Sequence, residues 1–332
     1  MRTISGLGDR LRARWLEVLL LFGLAGLLAW FASLTYGFVP KPPPTPTPLP
    51  RRFSGEIAYR HVLAQTELGA RPTGSDANLK TGDYIAEQLK EAGWQVELQP
   101  FTYRDTPARN IIGKAGKGPV VLIGAHYDTR RVADNDPDPA RRSEPVIGGN
   151  DGASGVAVLL ELARALDKER LTNEVWLVFF DAEDNGRLNG WDFSAGSTYM
   201  AENLTVMPEE VIIADMIGDA DQQIYKERNS SPALQDKIWQ IAASLGYGDY
   251  FIPEYKWSML DDHTPFLQLG IPAVDIIDFD YPYWHTTQDT ADKVSRASLE
   301  RVGRVLETLL EGGQETTRAQ PGHAVHERGL AS

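Results

Sequence analysis

Apolar positions recur at helical spacing over residues 54–68 and 76–93, with Gly93 closing the second stretch. The rhythm then changes to strand-like runs at Val96–Tyr103 and Arg109–Lys114, which read as a hairpin pair. Short, nearly continuous apolar runs follow at Val120–Ala125, Glu174–Phe180, Val211–Ala214 and Ala273–Asp278. Helical spacing returns in Ser154–Leu166, Pro232–Leu245 and Ser295–Leu310, the last with Ser295 as its cap. Apolar strands alternating with helices predict an α/β fold whose mainly parallel sheet is covered on both faces. In such sheets, sites form in the crevice beyond the carboxyl ends of the strands.

One stretch belongs to neither rhythm. Val18–Val39 is 22 residues without a charge, enough to cross a hydrocarbon core of about 30 Å at about 1.5 Å per residue. Arg2, Arg10, Arg12 and Arg14 precede it, and Trp15, Trp30 and Tyr36 stand where interfacial rings belong. The positive-inside bias makes residues 1–17 a cytoplasmic basic tail and 18–39 a transmembrane anchor in the lipid bilayer. The chain is then a single-pass membrane protein with an extracytoplasmic catalytic domain. A cleaved signal peptide would export the same body, but Phe31-Ala32-Ser33 is a poor cleavage site and the run is long for one. Residues 40–52, with seven prolines, read as an extended linker. Residues 53–312 carry the catalytic domain, and the polar, aperiodic 313–332 read as a disordered tail whose His323 and His326 have no assigned role.

Charge narrows the partners. The formal net charge of the 332-residue chain is −13, yet residues 1–52 hold seven Lys/Arg against Asp9 and Glu17, which leaves −18 on the remainder. No basic stripe offsets it, so nucleic acid is not expected as a partner. With no cysteine, disulfides and thiolate metal sites are excluded.

The candidate chemistry lies at the strand ends. His126 stands in GAHYDT, Asp151 in GGNDGASG, Glu183 and Asp184 in VFFDAEDNG, Asp215 in IIADMIGD and His285 in YWHTTQDT. Imidazole and carboxylate are the set zinc takes when no thiolate is offered. A scattered set that becomes one site only on folding points to a metalloenzyme. Asp181 reads as the end of its strand, facing away, and the polar loop 130–146 as a border of the pocket.

HYDT, NDGASGV, FFDAED, DDHTPF and WHTTQDT, in this order, resemble the family of zinc aminopeptidases and glutaminyl cyclases over residues 54–311. The resemblance implies a phosphorylase/hydrolase-like three-layer α/β sandwich with a mixed central sheet, acting on peptide or protein N-termini. In the aminopeptidase branch Asp151 would bridge two zincs, one completed by Asp184 and His285, the other by His126 and Asp215. Asp128 would orient the His126 ring, and Glu183 would take a proton from the attacking water. The cyclase branch would use one zinc, on Asp151, Asp184 and His285, and turn N-terminal glutamine into pyroglutamate with loss of ammonia. There Glu183 would shuttle the proton, supported by Asp215 and Asp261. Trp284, Trp191 and the Asp261 version of the DDHTPF loop favour the cyclase, and Trp284, Trp191 and His263 would face substrate. Asp184 departs from the family, which more often has glutamate there. A third reading, a silent binding domain, is disfavoured because no ligand or base is missing.

Overall fold

The computed structural model describes residues 6–37 and 52–312; within the first segment, side chains are described at 14, 15 and 17–32. The described residues divide into two compact units, 6–37 and 52–312. In the first, helix α1 (Gly6–Gly37) has 32 residues, and its apolar side chains stand uncovered, Leu20 at 71% and Phe22 at 74% exposure. Among the described residues no helix is long and apolar enough to cross a membrane. The uncharged run 18–39 extends past them, so the expected anchor lies partly outside the described residues. The expected linker, apart from Arg52, and the expected tail 313–332 lie outside them altogether.

The second unit opens with α2 (Gly55–Glu67) and α3 (Asp76–Glu91), the latter capped by Ser75, whose side chain accepts the Asn78 N–H. Strands β1 (Gln95–Tyr103) and β2 (Thr106–Gly116) follow as an antiparallel hairpin. Its two-residue turn places Arg104 and Asp105 at φ 45° and 61°, the left-handed pair that a tight hairpin turn requires. Next come β3 (Val120–His126), α4 (Ala153–Ala165), β4 (Glu174–Phe180), α5 (Ala195–Glu202) and β5 (Glu210–Asp215). The chain continues through β6 (Ile224–Lys226), α6 (Pro232–Ser244), β7 (Phe251–Tyr255), α7 (Thr264–Gln268), β8 (Ala273–Ile277) and α8 (Arg296–Leu310).

Among the described residues one sheet has six strands in the order β1-β2-β4-β3-β5-β8, with β4, β3, β5 and β8 mutually parallel and β2 antiparallel to β4. Its faces follow from the two-residue period of a strand. Val121, Ile123, Leu177 and Ile212 join one core with Val62, Ile85, Leu159, Ile238 and Leu306 from α2, α3, α4, α6 and α8. Leu122, Val178 and Ile213 join the other with Met200 of α5 and Phe266 of α7. The result is a mixed, mainly parallel sheet between two helical layers, as the sequence pattern predicts. Helix α4 sits directly on the sheet because position 155 is glycine: a Cβ there would come within 2.1 Å of the Ala214 carbonyl oxygen. Helices α5 and α7 and the small β6–β7 pair are not anticipated by the sequence pattern, since each is too short to show a period.

His61 of α2 is buried, its Nδ1 2.5 Å from the Tyr84 hydroxyl. Burial first, and the Arg164 charge second, lower its pKa from 6.5 to about 4. The unfolded chain therefore takes up this proton first, and the corresponding stability is lost as pH falls from about 6.5 to about 4. Urea unfolding of the native chain and of His61→Gln across that window should differ by an amount that shifts by up to roughly 3 kcal/mol. Parallel pH profiles for the two proteins would contradict a buried neutral His61.

Candidate active site

His126 closes β3 and Asp215 closes β5, and the register explains why they meet. Gly124 pairs with Ile213, and two residues further along each parallel strand the side chains return to the same face. His126 Nε2 lies 3.1 Å from Asp215 Oδ1 and 3.1 Å from Asp151 Oδ1. Asp151 arrives on the turn before α4, where Gly152 at φ 90° packs against the His126 ring and the Asp128 carbonyl. The Asp289 carboxylate fixes that turn by accepting the N–H groups of Asn150 (2.8 Å) and Asp151 (3.1 Å), and it accepts the Tyr281 hydroxyl at 2.7 Å.

Asp184 enters from the turn after β4. The Asp128 carboxylate accepts the N–H groups of Glu183 (3.0 Å) and Asp184 (3.2 Å), and its Oδ1 lies 3.7 Å from His126 Nδ1. One buried acid thus orients both a ring and a loop. His285 Nε2 is 2.8 Å from Asp184 Oδ1 and 3.7 Å from Asp151 Oδ2. His285 sits at φ 57°, a left-handed conformation uncommon outside glycine, with the Trp284 ring stacked on its own at 3.9 Å. Strained backbone of this kind concentrates at functional sites.

Two trios result, His126–Asp151–Asp215 and Asp151–Asp184–His285, each with donor atoms within 4.8 Å of one another. Asp151 Oδ2 and Asp184 Oδ2 are buried without a hydrogen-bond partner. Orphaned carboxylate oxygens beside His285, with no sulfur present, fit zinc in the Asp151–Asp184–His285 trio, and His126 Nε2 with Asp151 and Asp215 offers the same donor types in the other. Asp184, the shorter acid, still reaches His285.

The protonation pattern shows what the charge costs. Burial would lower the His126 pKa, but Asp215, Asp128 and Asp151 raise it well above its ordinary value. Burial would raise Asp151, but the His126 contact lowers it. At the other trio, burial brings His285 down to about 3 and raises Asp184 well up, with Asp151 adding to the latter. A divalent cation would replace the protons held here.

The site opens into a cavity of about 300 Å³. Its floor is Asp151, Glu183, Asp184, Asp215, Asp261 and His285, and its wall includes Phe193, Trp257, Phe279 and Trp284. Trp257, Phe279 and Trp284 meet edge to face in sequence, at 5.4 and 4.9 Å. Burial raises the Glu183 carboxyl well above its ordinary range, with Asp261 and Asp184 adding and His126 opposing. Burial and the neighbouring Asp215 bring Asp261 to about 7.

Trp284 therefore stands at the cavity, whereas Trp191 and His263 depart from the expectation that they face substrate. Trp191 is 6% exposed and packs with Phe101, Ala108 and Ala195, edge-on to Tyr103. It is not among the residues lining the cavity. His263 is fully buried, its Nε2 3.4 Å from Glu227 Oε2, and it groups with Asp261 and Asp275. Asp181 does face away from the cavity, accepting the Tyr127 hydroxyl, an Asn78 amide N–H and the Arg109 N–H. From loop 130–146, Arg130 binds the Asp184 and Gly186 carbonyls and pairs with Asp134. Phe193, Trp257, Phe279 and Arg187 were not read from the sequence, since none stands at a strand end or at a distinctive spacing.

A family model described as Peptidase family M28 matches residues 110–310. The chain is 26% identical to the glutaminyl-peptide cyclotransferase-like protein of Bos taurus over 292 residues, 73% of this chain and 72% of that protein. The crystal structure of Porphyromonas gingivalis glutaminyl cyclase superposes with a TM-score of 0.73 at 35% identity, over 78% of this chain and 98% of that one. A Zn-dependent exopeptidase from Parabacteroides distasonis superposes with a TM-score of 0.74 at 33% identity, with the same coverage.

Because Asp151 serves both trios, Asp151→Asn should empty both, whereas His126→Ala should leave the Asp151–Asp184–His285 trio able to hold zinc. Elemental analysis after dialysis separates these cases. Asp128→Asn should weaken zinc by about 10- to 100-fold. Unchanged zinc in Asp151→Asn would dismiss this ligand set.

Proposed function

The chain belongs to peptidase family M28, and on that basis we propose that it is a zinc-dependent glutaminyl-peptide cyclotransferase, converting N-terminal glutamine to pyroglutamate with release of ammonia. The observation that carries the reading is the pairing of a complete Asp151–Asp184–His285 trio with two buried acids, Glu183 and Asp261, in one small aromatic-walled cavity. A cavity of about 300 Å³ suits a side chain folded back on its own α-amine.

Zinc held by Asp151, Asp184 and His285 would supply Lewis-acid polarisation of the side-chain carbonyl. The α-amine nitrogen attacks the amide carbon, closing the ring as the carbon–nitrogen bond to the leaving group breaks. Glu183 takes the proton that the α-amine loses and returns it to the departing nitrogen, which leaves as ammonia. Its raised proton affinity suits both halves of that task. Asp261 lines the same cavity as Glu183, and burial with the neighbouring Asp215 raises its proton affinity. Trp284, stacked on His285, offers a flat apolar face to the folded side chain.

The second trio favours one further reading. His126, Asp151 and Asp215 complete the set for a second zinc, which would suit an aminopeptidase in which Glu183 takes its proton from water. We also propose that residues 18–39 anchor the protein in a bilayer, with the catalytic unit on the extracytoplasmic side. The basic N-terminal tail and the uncovered apolar side chains of α1 support this.

Product masses distinguish the activities. Incubation of the zinc-loaded chain with glutamine- and leucine-initiated peptides should give loss of ammonia from the first at unchanged length, and no free leucine. Release of the first residue from either peptide would replace the cyclase with the aminopeptidase. Glu183→Gln should lower kcat by about 10²- to 10⁴-fold while zinc stays bound; a wild-type rate would remove Glu183 as the proton carrier. Trp284→Ala should raise KM with zinc content intact, and an unchanged KM would return Trp284 to packing.

A further inference from the structure

Among the described residues that line the cavity, Arg187 is the one Lys or Arg, beside five carboxylates and a largely apolar wall. It is exposed and makes no ion pair among the described residues. Its guanidinium carbon lies 5.9 Å from the centre of the Phe193 ring. Arg130 approaches the same ring at 5.7 Å but is buried and already committed to Asp134 and two carbonyl groups. Arg187 therefore presents a planar donor fork, unspent on any acid, at the rim of a pocket whose depth is filled by acids.

The backbone holds it there. Arg187 sits at φ 66°, a conformation that side-chain-bearing residues adopt at a cost. Its N–H donates to the Trp191 carbonyl at 2.7 Å, and the Leu188 N–H donates to the Asn185 carbonyl at 3.2 Å. Asn189 and Gly190 follow, also left-handed, at φ 49° and 79°. The turn is thus closed on itself, and Arg187 follows the cavity-lining Asp184 with only Asn185 and Gly186 between them. The buried Trp191, misplaced by the sequence reading, serves here as the acceptor that locks this turn.

We propose that Arg187 is a carboxylate-binding subsite at the cavity mouth, taking a carboxylate carried one residue beyond the N-terminal residue of the substrate. This rests on the reading that the first residue enters the aromatic pocket. The carboxylate has two possible sources, an acidic side chain at the second position or the terminal carboxylate of a dipeptide. Both match the bidentate geometry of a guanidinium.

Binding is measured by calorimetry on the zinc-loaded full chain in the Glu183→Gln background, where peptides persist, and again with Arg187→Gln or Arg187→Glu added. The ligands are amidated Gln-Glu-Phe, Gln-Gln-Phe and Gln-Lys-Phe, with Gln-Phe as free acid and as amide. The acidic member of each pair should bind roughly three- to tenfold tighter than its neutral partner, less so at high salt. That ratio should fall to about one in Arg187→Gln, and Arg187→Glu should favour the lysine peptide. An Arg187-dependent ratio in the tripeptides alone assigns the side-chain source; in the dipeptides alone, the terminal source. Equal affinities throughout, or an acidic preference that survives Arg187→Gln because the carboxylate goes to zinc, would overturn the proposal. Products are followed separately with Glu183 intact, so release of the first residue would displace the cyclase while leaving the Arg187 ratios to stand or fall by themselves.

Discussion

Asp151 is buried between two imidazoles, with Oδ1 3.1 Å from His126 Nε2 and Oδ2 3.7 Å from His285 Nε2. The site depends on keeping that one carboxylate out of water and in place. Burying a charge without a partner is expensive, and the surrounding structure can be read as the means of meeting that cost. Asp289 pins the backbone of the turn, and Gly152 lets the turn pass beside the His126 ring. Arg71 lies fully buried beneath it, binding the Ile147 and Gly148 carbonyls. The parallel strands supply His126 and Asp215 at one level, because neighbouring parallel strands end on the same edge.

Burial, with neighbouring carboxylates second, raises the proton affinity of the acids at the site. Asp184, Glu183, Asp261, Asp262 and Asp275 all hold protons more tightly than ordinary carboxyls, burial being the leading cause in each. Deprotonation and metal binding are linked at such a site, since a divalent cation supplies the charge that the protons otherwise provide. The same acids suit a reaction that must both remove and deliver a proton. The aromatic wall, running from Trp257 through Phe279 to Trp284, makes the remaining boundary apolar, which strengthens each electrostatic contact on the floor.

Two chemistries share this scaffold because both need a polarised carbonyl and a mobile proton. What separates them lies around the metal ligands and not in them. On the proposed reading, the shape of the cavity, the acid at 261 and the aromatic at 284 would bear on how a substrate side chain folds into the site. The turn from Asp184 to Trp191 bears on what lies just outside. It joins Asp184 to the exposed Arg187 and closes through left-handed Arg187, Asn189 and Gly190.

The order of elements was legible in the sequence because strand and helix periods differ, and the main strands are apolar on both faces. His126 and Asp215 were legible as candidate ligands because each ends such a run, where a parallel sheet opens its crevice, whereas Asp151 and His285 stand in loops and were legible by their motifs. Neither signal speaks about short or aperiodic segments, so α5, α7 and the β6–β7 pair emerged only in three dimensions. Trp191 and His263 illustrate the limit: adjacency to a motif placed them at the substrate, while packing placed one against Phe101 and the other beside Glu227. Phe193, Trp257, Phe279 and Arg187 were the converse, unremarkable in sequence and brought to the cavity by loops. The sequence by itself determined which atoms could hold a metal and at which edge of the sheet. Only the tertiary structure decided which side chains surround that edge, because the direction of a loop side chain is set by turn geometry and by long-range contacts that no local period records.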